Sequence, residues 1–212
     1  MPAMFLFPAK QAKIEARIIS ACIKDAFGVA ISPWDNDKVT DRLPKPVGST
    51  HEGAFFFDLP ELEEEEGTPV AYFRQTIRAE RSEEIQALAD EIIAQDAEFE
   101  KLINKNQTDI VVSFEQTPAS FEAAALLTYA FAESFSCGVL IPGFEEGEET
   151  VWFENAEDFA NDVIFGEDDE DEDEDDDDDE SSDVEDDDEL IGEPYDEDDE
   201  DEDDDAPKKK KK

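Results

Sequence analysis

Apolar and polar positions along the first 165 residues alternate between two periods, one near four and one near two. Ile14, Ile18, Cys22 and Ala26 recur every fourth position, with Lys10, Lys13, Arg17 and Lys24 among the polar sites. This spacing predicts a first helix over residues 8–27, with Gly28 as its C-cap. Val29 to Ser32 is a short strand candidate. Asp35 to Thr50 holds Pro, Gly, Asp and Asn and is expected to be a loop. Ala54-Phe55-Phe56-Phe57 is a buried strand candidate, and Leu59 to Thr68 is an acidic turn with Glu61 and Glu63 to Glu66. Residues 70–79 alternate as a strand should, placing Val70, Tyr72, Arg74, Thr76 and Arg78 on one face.

A second helix is predicted from Ser82 to about Asn104, with Ile85, Leu88, Ala89, Ile92, Phe99, Leu102 and Ile103 as its apolar stripe. Asp109 to Glu115 is a strand centred on Ile110-Val111-Val112. Thr117-Pro118 supplies an N-cap and first-turn proline for a third helix to Phe135. That helix is apolar on most sides and is expected at the centre of the domain. Gly138 to Ile141 and Thr150 to Phe153 are strands, and Asn155 caps a short helix ending near Phe165. Interspersed strands and helices predict an α+β domain over residues 1–166, with helices packed mainly on one face of a mixed sheet.

After Gly166 the pattern stops. Of 63 acidic residues, 31 lie between Glu167 and Asp205, and the chain then reads Ala206-Pro207 and five lysines. Carboxylates at this density lose hydration and repel one another when brought together, so residues 167–205 are expected to be a disordered polyacidic tail. The remaining 32 acids face 12 bases, so residues 1–166 carry a net charge of −20 within the −46 of the whole chain. Such a chain repels nucleic acid and anionic membrane surfaces, and neither is expected as a direct partner. The expected partner is a basic protein or a Lys/Arg-rich segment. Solubility alone is the competing account of the tail. Charge gives no oligomeric state.

Two cysteines, Cys22 and Cys137, are too few for a disulfide scaffold and are expected as small buried side chains. The opening run Met-Pro-Ala-Met-Phe-Leu-Phe-Pro is too short for a secretory signal and lacks a basic start. An intracellular location follows as the expectation: cytoplasmic, or nuclear in a eukaryote. The sequon at Asn106 is then expected to stay unmodified.

Catalytic signatures are sparse. His51 is the sole histidine and sits in Gly48-Ser49-Thr50-His51-Glu52-Gly53, expected as an exposed loop with no nucleophile signature beside it. One histidine and two separated cysteines do not make a zinc site. The acidic run from Asp168 to Glu180 lacks the glycine of a calcium-binding loop. No phosphate-binding glycine motif occurs. No cofactor or metal is expected.

Two constellations remain. Arg74, Arg78 and Arg81 are conspicuous in an acidic domain, either as an anion- or partner-binding patch or as neutralisers of Glu80, Glu83 or Glu84. Trp34 and Trp152 are expected to pack in the core or at its rim. Within the tail, Leu190-Ile191-Gly192-Glu193-Pro194-Tyr195 interrupts the acids. Leu190, Ile191 and Tyr195 are candidate anchors: the acids steer a basic partner and the apolar side chains desolvate against it. In arrangement the tail resembles the acidic tails of histone chaperones; the resemblance covers the tail only. A histone or other nucleic-acid-binding protein is the sharpest partner it implies. The lysine end resembles a nuclear-import signal, and folding back onto the acids is the other reading. The function expected is therefore a non-enzymatic acidic-tailed binding protein that captures or shields basic partners. The alternative is a small-molecule or enzymatic role for the domain, with the tail as a solubility appendage.

Overall fold

The computed structural model describes residues 1–10, 12–60, 67–77, 83–94, 97–105, 108–143 and 149–166. The chain opens with a strand, β1 (Ala3–Pro8), every residue of which after Ala3 is buried. The helix expected over residues 8–27 is therefore shorter: α1 runs Ala16–Phe27. Ile19 and Ile23 face the core while Ile18 is 41% exposed, so the buried stripe lies one position on from the expected one. Gly28 caps α1 in the left-handed conformation with φ 74°, donating its N–H to the Lys24 carbonyl.

Next come β2 (Ala30–Asp35), β3 (Lys38–Val39), β4 (His51–Asp58) and β5 (Val70–Ile77). The long predicted helix is two helices, α2 (Glu83–Ile93) and α3 (Ala97–Lys105). Then follow β6 (Thr108–Phe114), α4 (Pro118–Phe135), β7 (Cys137–Ile141), β8 (Val151–Phe153) and α5 (Ala156–Phe159), which continues into a π-helical turn at Ala160–Ile164. The caps are those the sequence announces. Thr117 accepts from the Ser120 N–H, with Pro118 in the first turn, and Asn155 accepts from the Glu157 and Asp158 N–H groups. The acidic turn at residues 61–66 lies outside the described residues.

The eight strands form one sheet in the order β3-β2-β4-β5-β6-β1-β7-β8. Every pairing is antiparallel, where a mixed sheet was expected. The reason lies in β1. The unit β6-α4-β7 is a crossover whose two strands run the same way, but they do not touch. β1 fills the gap between them and is antiparallel to both. A strand with no period-two alternation, because both its faces are buried, was invisible to pattern reading.

Helices pack on both faces of the sheet, where most were expected on one, and they cover the second face only in part. On the first face α1, α4 and α5 enclose Met4, Leu6, Phe55, Phe57, Phe73, Ile110, Val112 and Val139. Gln75, also on that side, donates to the Ala12 carbonyl at 2.8 Å and ties the segment before α1 to β5. On the second face α2 and α3 bring Ala89, Ile92, Phe99 and Ile103 onto Phe5, Phe7 and Leu140. The alternation of β1 assigns the two cores: Met4 and Leu6 point one way, Phe5 and Phe7 the other.

Candidate functional site

Strand pairing, rather than sequence proximity, assembles the second face. One rung of aligned residues runs Glu52–Arg74–Val111–Phe5–Leu140–Trp152 across six strands. At its right-hand end Trp152 meets Phe99 edge-on at 4.3 Å between ring centres, beneath α3. At its left-hand end Arg74 Nε donates to Glu52 at 3.0 Å, both side chains more than half exposed. The next rung runs Val39–Trp34–Ala54–Tyr72–Ser113–Ala3.

Between α2 and the sheet lies an open groove of about 1220 Å³. Phe5, Val111 and Leu88 supply its apolar wall, and Thr76, Ser113 and Arg74 its polar one. Ala3 and Ser113 belong to both the groove and the second rung. The groove therefore borders the half of the face that carries Trp34, Phe56 and Tyr72. Trp34 and Phe56 stack at 5.5 Å with their planes 22° apart, and both remain half-buried rather than buried. Tyr72 is half-buried as well. Its hydroxyl is held above the ordinary tyrosine range first by desolvation and then by the charges of Glu115 and Asp37.

The residues singled out in the sequence fare differently. Arg74 is paired across strands with Glu52, because antiparallel register puts position 52 opposite position 74; Glu80 lies outside the described residues. Arg78 and Arg81 lie outside the described residues, as do Leu190, Ile191 and Tyr195. His51 is not an exposed loop residue. It opens β4, is 8% exposed, hydrogen-bonds the Pro44 carbonyl through Nε2 at 3.0 Å and meets Phe73 edge-on. The Phe73 ring also explains Gly53: a Cβ there would stand 2.8 Å from it.

Cys137 is fully buried and donates to the Phe131 carbonyl; burial alone pushes its thiol far up. Cys22 is half-buried on α1 and its thiol is also raised, first by desolvation, against a lowering hydrogen bond from Ser134. Neither thiol is activated as a nucleophile by its surroundings. Among the described residues no group of three or more His, Cys, Asp and Glu side chains is placed to hold a metal ion. No helix among them is long and apolar enough to cross a membrane.

No family model, curated protein or solved structure matches this chain. Its site must be argued from its own residues. In the sequence Trp34, Phe56 and Tyr72 stand apart, since they sit on three different strands. Alternation within β5 did put Tyr72 beside Arg74 on one face; only the register of β2 on β4 and β4 on β5 adds the other two rings.

Proposed function

We propose that the protein is a non-enzymatic binding protein that captures or shields basic partners. One observation carries the reading: 31 of the 39 residues from Glu167 to Asp205 are carboxylates, following a domain that is itself net negative. A polyacid of this density raises the local concentration of cationic surfaces and speeds their encounter. Leu190, Ile191 and Tyr195 convert encounter into residence by desolvating against the partner. The environments of His51, Cys22 and Cys137 described above support a binding rather than a catalytic role.

The test uses the full chain and a histone-like basic protein. Replacing Leu190, Ile191 and Tyr195 with Ser leaves the net charge unchanged. It is expected to speed dissociation, weakening binding by roughly 1–3 kcal/mol if the three side chains are buried hot spots. Added salt acts on the other rate and slows association by screening the steering field. A triple-Ser variant that dissociates at the unchanged rate across several salt concentrations reduces the tail to a charged bristle.

The groove beside α2 favours a second reading, in which the domain holds a small molecule and the tail keeps it soluble. At about 1220 Å³ it is roomy enough for a small molecule, being larger than the roughly 300–1,000 Å³ usual for ligand sites. Removing the residues after Gly166 separates the two: capture of a basic protein loses most of its strength under the first reading and retained function marks the second.

A further inference from the structure

The half of the second face that α2 and α3 leave open is not the polar surface a water-facing sheet normally presents. The cluster of Phe5, Phe7 and Leu140 beneath those helices accounts for the β1, β7 and β8 side of the sheet. On the β2, β4 and β5 side, the outward positions include Trp34, Phe56 and Tyr72, packed over the small buried Ala54 and Val70, with Val39 54% exposed at the edge. Three aromatic rings on adjacent strands, none fully buried, form a surface rather than a core. Apart from Arg74, whose charge Glu52 offsets, what surrounds them is acidic. Asp58 lies two residues on from Phe56 on the same face of β4 and is exposed, and the charges of Asp37 and Glu115 reach Tyr72.

Aromatic faces carry negative quadrupole charge and attract ammonium and guanidinium groups, tryptophan most strongly. Carboxylates around such a ring attract the same groups and repel anions. Long aliphatic stems of Lys and Arg can lie along apolar surface while their heads reach the acids. An anionic occupant is disfavoured by the net −20 of residues 1–166. We propose that Trp34, Phe56 and Tyr72 form a docking platform for an arginine- or lysine-bearing segment of a basic protein partner. This rests on the reading of the protein as a captor of basic partners and adds to it a specific site on the folded domain.

The probe is an octa-arginine peptide, titrated into the full chain at moderately high salt so that simple polyelectrolyte attraction is screened. In a Trp152→Phe variant Trp34 is the sole tryptophan. Its emission is expected to change saturably with peptide. Trp34→Ala leaves the net charge at −46 and is expected to weaken binding roughly tenfold, with Tyr72→Ser moving it the same way. Tyr72→Ser and the emission titration decide the matter should Trp34→Ala fold poorly. Trp34 emission that stays constant at saturating peptide, or a Kd unchanged by Trp34→Ala and Tyr72→Ser, overturns the platform. If those variants bind normally while the Leu190, Ile191 and Tyr195 triple-Ser chain does not, the platform falls and the tail reading stands. If octa-arginine does not bind at all, both fall.

Discussion

The two faces of the sheet are made by the same strands, read at alternate residues, yet they are finished differently. On the first face an 18-residue helix, α4, lies across β5, β6, β1 and β7, with α1 beside it. The aromatic residues between α4 and the strands are enclosed: Phe55, Phe57 and Phe131 are fully buried and Phe73 is 2% exposed. On the second face the shorter pair α2 and α3 finishes one half, through Phe99 against Phe7 and Trp152. The other half keeps its aromatics in partial contact with water. Strand composition alone does not decide which apolar residues become core. The reach of the covering helices decides it.

The largest effect is expected where cover is complete. Phe131 sits on α4 against Phe73 and Phe135, fully buried. Phe131→Ala should cost about 3–5 kcal/mol in denaturant unfolding, and the loss should be global, because α4 touches most of the sheet. Phe99→Ala on the second face removes an equally buried ring but from a satellite core. About 3 kcal/mol is expected, with a different signature. Amide protection should fall in α2 and α3 while β5 and β6 keep theirs, as local opening requires. Uniform loss of protection across the domain in Phe99→Ala would merge the two faces into one cooperative unit.

The buried thiol gives a pH-dependent version of the first-face result. Burial raises the folded pKa of Cys137, so the native protein keeps the proton while the unfolded thiol ionises above pH about 8.5. Stability from this group is whole below that pH and falls as pH rises through it, by up to about 1.4 kcal/mol per unit. Cys137→Ala should remove that slope between pH 8 and 10. A thiol reagent on the native protein should find Cys22, half-buried on α1, before Cys137. Equal reactivity of both would show that the first face opens far more readily than its packing implies.

Helix caps and strand positions were legible in the sequence where local chemistry decides them. Thr117-Pro118, Asn155 and Gly28 are each read from one or two residues, and each stands where it was expected. α4 was legible because an 18-residue apolar helix has few alternatives. Position β1 was not, since Met4-Phe5-Leu6-Phe7 lacks alternation when both faces are buried. That omission also hid the antiparallel order, because only β1 separates β6 from β7. The break between α2 and α3 was missed because the apolar stripe continues on both sides of it. At the site, Arg74 was found by its charge, but its partner Glu52 is 22 residues away and is set by register. The Trp34–Phe56 stack was hidden for the same reason.

The smallest effect tests whether the open half is as wet as its exposures say. Glu52 and Arg74 stand opposite each other at 3.0 Å, with 61% and 63% of their side chains exposed. An exposed ion pair gains little from Coulomb attraction in water and loses side-chain freedom in forming. A double-mutant cycle with Glu52→Gln and Arg74→Gln should therefore give a coupling of about 0.2–1 kcal/mol, shrinking toward zero at high salt. Either single variant should leave the unfolding midpoint nearly unchanged. A salt-insensitive coupling several times larger would place the pair out of water and contradict an open second face. The same cycle bears on Arg74 itself. With its charge offset by Glu52, Arg74 offers an anion little. If Glu52→Gln gives the protein no affinity for phosphate, Arg74 is a neutraliser within the acidic face, and the open half keeps the negative character that a cationic segment requires.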